Sequence, residues 1–244
     1  MISNLCNQHR QNLLIDNYTT KVAELQDEEK SEMKSAAEAY NNTLSGISTD
    51  TLLSHDSYNS LLNFDGSGIM GYLEIPKIKV RLTIYHGTDE PTLENGVGHL
   101  EGTSLPIGGN STHCVLSGHR GLPSAKLFTD LDKLENGDLF YIYILGETHA
   151  YEVDQVLVVE PTQVESLKIT PEQDYVTLLT CTPYGVNSHR LLVRGHRTEV
   201  REASADNASR DNGTDINLWV IIPLALVVLL LLTLVVVKVI LQKK

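Results

Sequence analysis

The chain is expected to be mainly β, a closed barrel or a sandwich, with a helical region ahead of it and a membrane helix behind it. Three observations predict this. Short apolar runs separated by turn residues fill the chain from Ile69 onward; a charged, proline-free stretch over residues 1 to about 45 has helical periodicity; and Leu218 to Val237 is a run of 20 residues without a charge. A length of 244 residues with 41% hydrophobic side chains suits one packed core plus appendages.

In the first stretch Leu14, Tyr18, Val22 and Leu25 recur at helical spacing in a charged background, which predicts one amphipathic helix. Leu44 to Gly68 is rich in Ser, Asp, Asn, Thr and Gly and is expected to be irregular, as long functional or mobile loops are. Strands are predicted over Gly71 to Ile75, Arg81 to Tyr85, His113 to Leu116, Leu139 to Leu145, Ala150 to Val159, Tyr175 to Thr180 and Arg190 to Val193. Short helices are expected near Thr92 to Val97 and Ala125 to Leu131. The resulting divisions are a helical, lid-like region (1–62), a barrel (63–200), a Ser/Asp/Asn/Ala-rich stalk (201–217) and a membrane helix with a basic tail (218–241).

At about 1.5 Å per residue the last run is long enough for the roughly 30 Å hydrocarbon core of a bilayer. Lys238, Lys243 and Lys244 follow it, so the C-terminus is expected in the cytoplasm and the bulk of the chain on the outer face. That topology needs an export signal. Met1 to Asn17 has no apolar run longer than Leu13-Leu14-Ile15, so a signal or first membrane helix is expected to be missing from this end.

Without its three tail lysines the chain carries 16 basic and 31 acidic side chains, a surface that repels nucleic acid. Cys6, Cys114 and Cys181 are odd in number and scattered, and His113, His189 and His196 lack metal-ligand spacing, so no disulfide, metal or other cofactor is expected.

The candidate chemistry centres on Thr177-Leu178-Leu179-Thr180-Cys181-Thr182-Pro183-Tyr184-Gly185. Period-two alternation followed by Pro-Tyr-Gly places Cys181 at the end of a strand, where a thiol is a candidate nucleophile. A free thiol is only a few percent ionised near neutrality, so it needs a base or cation beside it. His119, in the loop Ser117-Gly118-His119-Arg120-Gly121, is the candidate general acid and base. Arg190 returns after eight residues and suits an oxyanion, but alternation puts Arg194 on the same face, and spacing alone leaves the two as rivals. Thr180, Thr182 and Tyr184 are candidates for shaping a substrate pocket. Cys114, mid-strand, reads as packing, and Cys6 has no assigned role.

Thr177 to Cys181 resembles the TLxTC signature of the sortases, and Ser117-Gly118-His119 resembles their histidine loop. Gly71 to Ile78, Gly96 to Pro106 and His119-Arg120-Gly121-Leu122-Pro123 are similar to class C, the pilus-assembling sortases of Gram-positive bacteria. The resemblance covers about Leu61 to Arg197. It implies an eight-stranded sortase β-barrel with His119, Cys181 and Arg190 as the triad, Arg190 matching the family arginine in place of Arg194. It also implies a transpeptidase that cleaves a Leu-Pro-x-Thr-Gly-like sorting signal after Thr through a thioacyl-enzyme. The acyl group would pass to a pilin lysine or, in a second reading, to a peptidoglycan amine. A third reading keeps the fold as an inactive platform that holds sorting peptides. Class C members usually carry an Asp-Pro-aromatic lid anchor, whereas this chain has no proline before Pro76. Tyr58 to Asn63 resembles only the end of that lid, so the segment from Leu44 to Asp56 is expected to cover the cleft loosely, if at all.

Overall fold

The computed structural model describes residues 2–46, 55–122 and 125–200. The expected stalk and membrane helix, and most of the segment expected over the cleft, lie outside them. Among the described residues no helix is long and apolar enough to cross a membrane.

Eight strands close into a barrel: β1 (Ile69–Ile75), β2 (Val80–His86), β3 (Val97–His99), β4 (Thr112–Ser117), β5 (Leu139–Ile144), β6 (Glu147–Val159), β7 (Asp174–Thr182) and β8 (His189–Thr198). Their order around it is β1-β2-β3-β4-β7-β8-β6-β5. Leu73, Ile75, Ile84, Leu116, Val176, Leu178 and Val193 point inward and are almost wholly buried, which is the alternation the sequence carries. β4 and β7 run parallel, from Thr112 beside Asp174 to Ser117 beside Leu179. A parallel pair needs a long crossover, and the chain between them supplies it with β5 and β6. The pair therefore brings the segment after Ser117 next to the end of β7.

β3 was not among the predicted strands. Three residues are too few for periodicity to register, and Val97 is fixed by its partner Ile84 across the sheet. The helix expected near Thr92 to Val97 begins earlier, as α4 (Glu90–Asn95), because Asp89 caps it by accepting from the Thr92 N–H at 3.2 Å. The helix expected over Ala125 to Leu131 does not form. Its apolar residues are buried, but in a turn and a short 3₁₀ segment at Leu131–Lys133, so their spacing reflects a loop packed into the barrel's core.

The single N-terminal helix is two, α1 (Ile2–Glu24) and α2 (Asp27–Leu44). No Gly or Pro breaks them. Gln26 is extended and its N–H donates to the Glu29 carboxylate at 2.9 Å, while Asp27, Glu28 and Glu29 line the first turn of α2, where negative charge is favoured. Ile15, Tyr18 and Val22 of α1 are buried. The Tyr18 hydroxyl donates to the Met70 carbonyl at 2.8 Å and accepts from the Leu145 N–H at 3.0 Å. Ala37 and Tyr40 of α2 and Tyr58, Leu61 and Leu62, in and just after α3 (His55–Ser60), join the barrel's own core. Packing is thus continuous across the boundary drawn at residue 62.

Candidate active site

Cys181 is the penultimate residue of β7 and lies directly opposite Arg190, the second residue of β8. Cross-strand partners leave the sheet on the same face with Cβ atoms about 5 Å apart. The connecting loop can be this short because Gly185 and Asn187 take left-handed backbone (φ 74° and 60°) and the Val186 and Asn187 N–H groups both donate to the Pro183 carbonyl. The Arg190 guanidinium donates to the Asn187 and His189 carbonyls, at 3.2 and 3.1 Å.

Arg194, the rival, sits opposite Thr177, four residues back along β7. Its fork binds both oxygens of Asp154, at 2.9 and 3.0 Å, and its guanidinium lies 4.1 Å from the centre of the Tyr175 ring. The register therefore sets Arg190 opposite Cys181, and the side-chain contacts give Arg194 to an ion pair with Asp154.

His119 arrives from β4. Beyond the Ser117–Leu179 pair, the Gly118 N–H donates to the Leu179 carbonyl at 3.0 Å, and the Thr180 hydroxyl donates to the Gly118 carbonyl at 2.7 Å. Continuing that register sets the backbone of His119 level with Cys181. Only glycine fits before it, since a Cβ on Gly118 would stand 2.7 Å from the Phe128 ring. The imidazole is about three-quarters buried, with a side-chain exposure of 24%, and its Nε2 lies 3.4 Å from Glu90 Oε1. That approach is misaligned for a hydrogen bond, and the Nε2 atom is buried without another partner.

Arg120 was missed as a site residue. Its guanidinium donates to Thr182 Oγ1 at 3.0 Å and to Asp132 at 2.6 Å, with 9% of its side chain exposed. It ties the residue after His119 to the residue after Cys181. The Gly-His-Arg-Gly sequence was visible, but nothing local tells that Arg120 reaches across to β7.

The three pocket candidates differ in fate. Thr180 is buried, and its hydroxyl donates to the Gly118 carbonyl, a clip that holds the histidine loop. Thr182 accepts from Arg120. Tyr184 is 60% exposed and its ring covers Gly121, which has φ +85° and no room for a Cβ. Among the other candidates, Cys114 is buried and burial pushes its thiol well up, which suits packing. Cys6 is exposed. His113 faces the Lys168 carbonyl and the Thr177 hydroxyl, and burial lowers its pKa. Among the described residues no group of His, Cys, Asp or Glu is arranged to hold a metal.

The model of the sortase domain family matches residues 73–198, the span that contains all of these groups. Sortase C of Clostridium perfringens, solved with the C-terminal cell wall sorting motif, is 48% identical with a TM-score of 0.69, covering 77% of this chain and 98% of that one. Sortase C of Streptococcus pneumoniae, described for its catalysis and pilin substrate specificity, is 43% identical with a TM-score of 0.69, covering 76% of this chain and 96% of that one. Sortase D of Bacillus subtilis is 32% identical over 130 residues, 52% of this chain, and the match spans 63% of that relative's length. With its barrel, its match across residues 73–198 and these neighbours, the chain belongs to the sortase family.

Proposed function

We propose that this chain is a pilus-assembling cysteine transpeptidase, anchored in the membrane by residues 218–237 with its barrel on the outer face and its C-terminus in the cytoplasm. Its substrates are pilin subunits that end in an LPXTG-like sorting signal. Cys181 attacks the Thr carbonyl of that signal, Arg190 stabilises the oxyanion, and His119 protonates the departing Gly amine. The thioester that forms keeps most of the energy of the peptide bond, so no ATP is required, and a pilin lysine amine then displaces the thiol to leave an isopeptide bond.

The observation that carries the reading is the Cys181–Arg190 cross-strand pair, with the histidine loop hydrogen-bonded beside it. The Clostridium perfringens neighbour, solved with a cell wall sorting motif, supports the substrate class, and the Streptococcus pneumoniae neighbour supports a pilin partner.

The test is mass spectrometry of the chain incubated with an LPXTG peptide. An acyl adduct on Cys181, released by amines and absent from Cys181→Ala, is expected; an adduct on Cys114 or none at all would overturn the assignment. Purified pilin with and without its acceptor lysine separates polymerisation from attachment to peptidoglycan. Lysine-dependent ladders are expected, and their absence with the lysine present would favour attachment.

A further inference from the structure

Among the described residues Glu90 is the one carboxylate paired with His119, and nothing in the reaction just described uses it. Its side chain is 69% exposed, yet one oxygen stands 3.4 Å from the imidazole Nε2. The contact is not an aligned hydrogen bond, and Nε2 is otherwise unpartnered and buried. An incoming group that displaced this contact would therefore meet an anion and an imidazole nitrogen side by side.

Two acidic side chains next to these residues are already engaged: Asp89 caps α4 through the Thr92 N–H, and Asp132 holds Arg120. Across the cleft Arg190 donates only to backbone carbonyls among the described contacts, so its positive charge is not neutralised by a carboxylate. A lysine ammonium entering beside Cys181 meets that like charge and needs a negative partner on the His119 side.

We infer that Glu90 is the amine-binding residue for the second substrate, holding the acceptor ammonium against His119 while the thioacyl-enzyme waits on Cys181. The inference rests on the transpeptidase reading above and names the group that receives its nucleophile. In the step, the bound ammonium loses one proton to solvent and the amine nitrogen attacks the thioester carbonyl. Its second proton passes to His119 Nε2 as the C–N bond forms, and the C–S bond breaks with sulfur leaving as thiolate. Glu90 is unchanged. Lysine is favoured over a neutral nucleophile because only a cation gains from the carboxylate.

The experiment is a competition on the full chain charged with an LPXTG peptide. Nα-acetyl-lysine methylamide, charged in solution, competes with hydroxylamine, which is neutral at neutral pH. For Glu90→Gln the ratio of lysine product to hydroxylamine product is expected to fall about fivefold, the upper range for losing one exposed charge pair, and Glu90→Asp should restore part of it. Because both products come from the same acyl-enzyme, a variant that is merely unstable or slow to acylate leaves the ratio alone. An unchanged ratio in Glu90→Gln, with thioester still detected on Cys181, would overturn the role of Glu90 and leave the transpeptidase reading standing. Absence of any thioester on Cys181 in the unsubstituted chain would overturn both.

Discussion

The choice between Arg190 and Arg194 turns on what each guanidinium already holds. Arg194 is neutralised by Asp154 and stacked on Tyr175, whereas Arg190, opposite Cys181, donates among the described contacts only to the Asn187 and His189 carbonyls. Arg190→Gln is therefore expected to lower kcat/KM about 100- to 1000-fold, the usual cost of one oxyanion donor, with little change in stability. Arg194→Gln should do the reverse, costing about 1 to 2 kcal/mol in urea denaturation through loss of a bidentate pair and a cation–π contact. Equal activity losses in the two variants would contradict the division. Cys181 and Arg190 were legible in the sequence because a strand end and a short return fix their separation. The decision against Arg194 was not, since Asp154 enters from β6 and Tyr175 only through the fold.

Between elements, the site depends on how firmly the loop after β4 is fastened to the end of β7. Three bonds do this: Gly118 N–H to Leu179, Thr180 hydroxyl to Gly118, and Arg120 to Thr182. Two keep the backbone of His119 in register, and the third closes the far side. Arg120→Lys keeps a charge for Asp132 but loses the fork that spans to Thr182. It is expected to lower kcat for peptide cleavage while KM for the peptide stays within about twofold, a split that general destabilisation does not produce; an unaffected kcat would show that the clip does not set the geometry. Gly118→Ala should be worse, since its Cβ meets Phe128 at 2.7 Å and overpacking costs about 1 to 3 kcal/mol. The same loop shows why part of the fold was hidden. Ala125, Leu127, Phe128 and Leu131 have a spacing that reads as helix, but all four are buried from a loop into the same core as the barrel strands. The α1–α2 break escaped notice for the opposite reason: its signal lay in the polar run Gln26 to Glu29, outside the apolar pattern.

For the whole molecule, two histidines join the segment at α3 to the barrel, His99 through Tyr58 and His86 through the Leu61 carbonyl, and with His113 and His149 they set how the protein responds to acid. His99 accepts from the Tyr58 hydroxyl at 2.7 Å through Nδ1 and donates from Nε2 to the Ser104 carbonyl at 2.9 Å. Burial pulls its pKa down to about 4, and that of His149 to about 4 as well. His86 and His113 are lowered by burial in the same direction. An unfolded histidine titrates near 6.5, so between about pH 6.5 and 4 the unfolded chain binds protons that the native chain refuses. Stability from these groups is complete above the unfolded value and is lost as pH falls through that window, by up to about 3 kcal/mol for a shift of this size at one site. Asp174 opposes the trend, because burial raises its pKa and its native form takes up a proton more readily. One carboxylate is outweighed by four histidines over this range. The urea midpoint is accordingly expected to fall steadily from pH 7 to pH 4.5, and less steeply in His149→Gln, whose ring nitrogen Nδ1 is buried without a hydrogen-bond partner. A midpoint that is flat over the interval would mean that these imidazoles are hydrated or charged in the native state, and that the seam joining Tyr58 to the barrel is looser than its hydrogen bonds imply.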